Sequence, residues 1–165
     1  MALPRLLIIL VPALTVLALT GAEPALGDSS TQRRWSWPTE YPVAVARPFD
    51  PPIRDWMPGH RGVDLDVDTG TIVRAPADGR VVVAGQIVDR GVVAIDHGSL
   101  RSAFEPVEPL VRVGDTLAEG DPIGIVVEGH SPGSLHWGVK RSRADYVDPL
   151  RMLIGRTVLK PWDSV

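Results

Sequence analysis

The chain has 165 residues, with 17 Lys and Arg against 20 Asp and Glu, a formal net charge of −3 and no cysteine. A mildly acidic chain lacks the clustered basic face that marks nucleic-acid binding, and Lys140, Arg141 and Arg143 are too few to supply one. Without cysteine there is neither a lipid attachment point nor a disulfide framework, so the fold must hold by its own core or with help from a metal.

The first residues read as a targeting segment. Arg5 supplies a positive start, Leu6 to Leu19 form an apolar run broken by Pro12 and Thr15, and Ala25-Leu26-Gly27 offers small residues for cleavage after Gly27. The run is shorter than the roughly 20 apolar residues that span a bilayer. The expectation is therefore a signal peptide over 1–27, an exported protein and no stable membrane span after cleavage. Residues 28–43 have no apolar period and are rich in Trp and Pro, which predicts a mobile start followed by an extended segment lying on the domain. There Trp35 and Trp37 are expected to cover a sheet edge. One domain over 44–155 and a short tail over 156–165 complete the organisation.

From Ile72 onward the signals are β. Ile72 to Ala75 predicts a short strand, and Ala77-Asp78-Gly79 a turn of the kind that favours hairpins. Arg80 to Ala84 and Val92 to Asp96 are further strands, with Leu100 to Phe104 a partner. Pro106 and Pro109 exclude a central strand after it. Paired tight turns at Val113 to Leu117 and Gly120 to Gly124 lead into a strand through Val127. Alternation over Leu135 to Lys140 puts His136, Gly138 and Lys140 on one face and Leu135, Trp137 and Val139 on the other. Asp148 and Pro149 predict the cap and first position of a short terminal helix. Short strands with Gly and Pro turns imply an antiparallel sandwich or barrel.

His60 and Asp64, with the distant His136, offer two nitrogens and one carboxylate. Three protein ligands with an open fourth position suit a catalytic zinc, whereas a structural zinc is normally closed by four. On a straight strand His60 and Asp64 would sit roughly 13 Å apart, so the chain must bend between them, and Gly62 can allow an unusual backbone turn. Asp66 and Asp68 compete for the carboxylate role. By spacing alone the pair is a common one, and a surface histidine beside a turn-capping aspartate explains it equally well.

Gly59-His60-Arg61-Gly62-Val63-Asp64, Val73 to Val81, Ile95-Asp96-His97-Gly98, Val113 to Gly124 and Leu135-His136-Trp137 resemble, in order and spacing, the LytM/lysostaphin-type zinc metallopeptidases. Phe-Glu-Pro-Val and Leu-His-Trp-Gly resemble an actinobacterial branch of that family. The resemblance covers roughly Arg47 to Leu153. It implies a mainly β fold, with a sandwich-like antiparallel core of the duplicated-hybrid-motif type and a short C-terminal helix. It also implies zinc held by His60, Asp64 and His136, and action in the cell wall or envelope on peptidoglycan peptides through a metal-activated water. Two departures stand out. Ser134 replaces the first histidine of the family's His-x-His, and Phe104-Glu105-Pro106 replaces its Tyr-x-His segment. Glu105 and His130 are the candidate substitutes for these acid–base groups, while His97 is expected to cap a turn.

Two functions follow from the resemblance. One is a zinc endopeptidase of peptidoglycan with a modified proton relay. The other is a degenerate relative that binds peptidoglycan or regulates a partner cell-wall hydrolase. The Val113 to Gly124 block also resembles biotinyl- and lipoyl-type carriers, but neither Lys140 nor Lys160 lies on a suitable hairpin, which excludes that reading.

Overall fold

The computed structural model describes residues 34–129 and 135–154. The predicted signal peptide, His130, Ser134 and the tail from residue 155 lie outside the described residues. Among the described residues the strands are β1 (Val45–Arg47), β2 (Gly62–Leu65), β3 (Ile72–Arg74), β4 (Gly79–Ile87), β5 (Arg90–Asp96) and β6 (Arg101–Glu105). They continue as β7 (Val107–Pro109), β8 (Thr116–Leu117), β9 (Pro122–Val126), β10 (Leu135–Lys140) and β11 (Tyr146–Val147). Among the described residues one helix, α1 (Leu150–Ile154), follows them.

Every strand pairing is antiparallel. The larger sheet runs β1-β2-β10-β6-β5-β4-β8, with β11 also paired to β10, and the smaller runs β3-β9-β7. This is the mainly β, antiparallel sandwich with a short terminal helix that the sequence implies.

The core draws on both sheets. Val63, Leu65, Ile95, Phe104 and Trp137 come from the larger sheet, and Val73, Val107, Ile123 and Val126 from the smaller. Strand β10 alternates as predicted: Leu135, Trp137 and Val139 are buried, while His136, Gly138 and Lys140 face outward. Trp137 stands opposite Phe104 on β6, with ring centroids 6.2 Å apart and planes within 14°. Such an aromatic cross-strand pair ties two strands into one register. Pro109 sits in β7 at the edge of the smaller sheet, where a missing N–H costs no ladder bond.

The segment before β1 packs on the domain. Trp35 joins the core, its N–H bonds the Met152 carbonyl at 3.0 Å, and the Pro38 carbonyl accepts from Arg74 N–H at 2.8 Å along β3. Asp148 caps α1 through its Oδ1, 3.0 Å from Leu150 N–H.

One local expectation is corrected. Ala77-Asp78-Gly79 does not close a hairpin, because β3 pairs with β9 while β4 pairs with β5 and β8. The chain passes there from one sheet to the other. Gly79 serves a close approach: a Cβ would lie 2.6 Å from Ile95 Cγ2 and 2.7 Å from the Asp96 carbonyl. Asp78 accepts Glu119 N–H on its Oδ1, binding the crossover to the turn after β8. Sandwich packing, which buries Val73 completely, chose the partner of β3 over local turn chemistry.

Gly91, at the start of β5, sets the spacing between the two sheets. A Cβ there would collide with the Val107 carbonyl oxygen, a backbone atom that cannot yield. Gly91→Ala should destabilise the fold by about 1–3 kcal/mol, the usual range for overpacking. The check is a lower urea midpoint at unchanged m-value.

Candidate metal centre and groove

Strands β2 and β10 pair so that Asp64 stands directly opposite His136. His60 lies just before β2, held by an isolated bridge to Asp50, and the chain bends at Arg61. That bend brings His60 Nε2 to 2.9 Å from Asp64 Oδ1, and His136 Nδ1 lies 2.8 Å from the same oxygen. The two ring nitrogens are 3.1 Å apart. The three potential ligand atoms thus form one tight cluster in which His60 and Asp64 are buried and His136 reaches the surface. Asp66 and Asp68 are exposed and stand outside it.

Gly62 plays a different part from the one expected. It has no positive φ and lies within a regular strand. What it provides is room, since a Cβ would come within 2.6 Å of His136 Nε2 and would strike the Trp137 carbonyl. The imidazole of His136 occupies the space that a side chain at 62 would fill.

The donor set fits a cation on chemical grounds. His60 Nδ1 lies 2.7 Å from the Pro48 carbonyl, which can only accept, so Nδ1 carries the proton of the neutral ring. Nε2 then presents a lone pair toward the Asp64 carboxylate. Electron-rich atoms converge where a positive centre would relieve their repulsion. Their separations of 2.8 to 3.1 Å are close to the roughly 3.3 Å edge of a tetrahedral zinc site with nitrogen and oxygen ligands. A carbonyl that orients a ligand histidine from behind is the usual second support of such a site.

From the centre a groove of about 360 Å³ crosses the outer face of the larger sheet. The cross-strand pairs His136/Glu105, Gly138/Ala103 and Lys140/Arg101 make its floor. Arg61 and Tyr146 also line it, with the Arg61 guanidinium 5.6 Å from the Tyr146 ring centroid. Sequence reading missed these two residues. Arg61 was legible only as the neighbour of His60, and Tyr146 reaches the groove because β11 pairs with β10.

Residues 58–149 match peptidase family M23. The chain belongs to that family. An uncharacterized protein of Mycobacterium tuberculosis strain H37Rv is 43% identical over 157 residues, covering 89% of this chain and 61% of its own length. The chain therefore spans about three fifths of the mycobacterial relatives it matches. Among solved structures, a zinc-containing peptidase from Vibrio cholerae is similar at 22% identity and TM-score 0.60, over 72% of this chain and 40% of its own. The catalytic domain of lysostaphin from Staphylococcus simulans is similar at 23% identity and TM-score 0.59, over 68% and 93% respectively. Likeness at that identity concerns the fold.

The residues expected to stand in for the family's acid–base groups take different places in the structure. Phe104 is fully buried and stacks on Trp137, so its ring belongs to the core. Glu105, next along β6, is the residue that turns to the groove, opposite His136, with Oε1 3.5 Å from Arg90 Nη1. His130 and Ser134 lie outside the described residues. His97 is far from this chemistry. Its Nδ1 donates to the Asp78 carbonyl at 2.8 Å, its Nε2 accepts from the Ser102 hydroxyl at 2.8 Å, and its ring packs 4.5 Å from that of Trp35. It holds the β5–β6 turn against the crossover.

Burial is the main influence on both His97 and His136 and pushes each below the ordinary histidine value of 6.5. For His136 the hydrogen bond and charge of Asp64 pull partly back. As pH falls through 6.5 the unfolded chain takes up these protons before the folded protein does, so the folded state loses stability. Metal-free protein should show a falling urea midpoint between about pH 7.5 and about pH 5. His97→Gln should flatten part of that slope, and an unchanged slope would remove His97 from this account.

Proposed function

We propose that this protein is an exported M23 zinc endopeptidase that cleaves peptide bonds of peptidoglycan in the cell wall or envelope. The observation that carries this reading is the convergence of His60 Nε2, Asp64 Oδ1 and His136 Nδ1 at the head of an open groove. The zinc named for the Vibrio cholerae neighbour and the family match support the choice of metal. Zinc held by these three residues would lower the pKa of a bound water toward neutrality and polarise a peptide carbonyl.

The chain's own residues supply the rest. The Pro48 carbonyl fixes the orientation and tautomer of His60. Gly62 leaves His136 its place, and the small residues Ala103 and Gly138 let an extended peptide lie against the sheet. Glu105 is the carboxylate beside His136 that can take a proton from the attacking water and return it to the leaving amine, with Arg90 steadying its charge. His130 is the second candidate for proton transfer.

Two observations favour a different reading, in which the chain binds peptidoglycan or regulates another wall hydrolase without cutting. Glu105 is engaged by Arg90, and the family's two catalytic histidines are replaced.

Elemental analysis should find near one zinc per chain in the purified protein and little in His136→Ala, which should also melt lower when the parent is zinc-loaded. Retained zinc in that variant would dismiss the ligand assignment. Glu105→Gln should keep its zinc yet slow cleavage of cross-linked muropeptides by about 10²–10⁴, the usual contribution of a general acid or base. Cleavage at the parent rate would pass the proton-transfer role to His130, and absence of cleavage by the zinc-loaded parent would favour the binding protein.

A further inference from the structure

The groove leads away from the metal centre into a second cleft of about 310 Å³, and Arg101 and Lys140 line both. Asp96, Ser99, Ser142 and Arg143 complete the cleft's polar wall. The chain as a whole carries a net charge of −3, yet this end of the groove is cationic.

The balance of charge within it is uneven. Arg101 is met by Asp96, Nη2 to Oδ2 at 3.1 Å, and Arg141 by Asp145 at 3.5 Å. Among the described residues neither Lys140 nor Arg143 has an ion pair or a side-chain hydrogen bond. Lys140 also stands directly opposite Arg101 across β10 and β6. Like charges placed opposite each other on one sheet face are destabilising. Asp96 balances Arg101, so the unmatched positive charge at the mouth of the cleft is that of Lys140, with Arg143 beside it in the lining.

We infer that Lys140 and Arg143 form a subsite for a carboxylate of the bound peptide. This rests on reading the groove as a peptide site. His136 and Lys140 are four residues apart on the same face of β10, a separation of roughly 13 Å at the strand rise. An extended peptide covers that distance in about four residues. The anion therefore belongs to a side chain or terminus about four residues from the bond at the metal. A guanidinium can grip a carboxylate with two parallel hydrogen bonds, while an ammonium adds a point charge. A preference for peptides that carry a free carboxylate at that distance follows from this arrangement.

The test is calorimetric binding to the full chain of two cross-linked muropeptides that differ only in whether their carboxylates are free or amidated. The free acid should bind on the order of 10-fold more tightly at low salt, and the preference should shrink as ionic strength rises. In the double variant Lys140→Gln, Arg143→Gln, with folding verified by a melting temperature no lower than the parent's, the free acid should bind no better than the amide. Equal binding of the two peptides by the parent, or a preference that survives in the double variant, overturns the subsite. Inorganic phosphate is titrated in parallel. If it binds through Lys140 and Arg143 while the two peptides bind alike, the cleft serves a phosphate-bearing polymer and the proposal fails. Cleavage is followed in the same samples: a carboxylate preference without cleavage supports the subsite and removes only the endopeptidase reading.

Discussion

The pairing of β2 with β10 is the constraint on which the site depends. It sets Asp64 opposite His136 and Val63 opposite Trp137, so one register puts the two candidate ligands on one face of the pair and two core side chains on the other. A slip of one residue would send His136 into the core and Trp137 into solvent. The stack of Trp137 on Phe104 resists that slip, because moving it would expose the largest fully buried side chain among the described residues. Metal geometry is thus inherited from core packing.

Burying Asp64 completely has an energetic consequence. A carboxylate taken out of water is costly unless partners replace its hydration. His60 Nε2, whose lone pair faces that carboxylate, does not replace its hydration, and a bound cation would. Burial also disfavours the charged form of His136, which keeps its ring neutral and able to ligate near neutral pH. The same desolvation at His97 has a different use, since there the neutral ring bridges a carbonyl and a hydroxyl within the framework. Two histidines in one chain are held neutral by one cause for unrelated ends.

Phe104 and Glu105 divide between core and groove. Alternation along β6 sends Phe104 inward and Glu105 outward, so the aromatic position works for the fold and the carboxylate works at the groove. A hydroxyl on the buried ring would require a partner in the apolar interior. Charge along the groove is graded as well. Glu105 and the metal ligands stand at one end, small residues occupy the middle, and cations gather at the other. Such a gradient would orient a polar peptide laid along the groove.

The β class, the alternation of Leu135 to Lys140, the cap at Asp148 and the ligand residue types were all legible along the chain, because each depends on near neighbours and on period. The family blocks added which histidines and which aspartate to join. Local spacing could not choose Asp64 over Asp66 and Asp68; sheet register did, by burying Asp64 and leaving the others exposed. Nor could it show that Ala77-Asp78-Gly79 is a crossover, that Gly62 makes room for a ring, or that Tyr146 and Arg61 share a groove wall with His136. Each of these is a contact between residues distant in sequence, set by which strands pair and how two sheets pack. Sequence by itself determined the kinds of elements and the chemical groups available; the tertiary structure decided which of those groups meet, since hydrogen-bond register and burial are properties of paired strands rather than of any one segment.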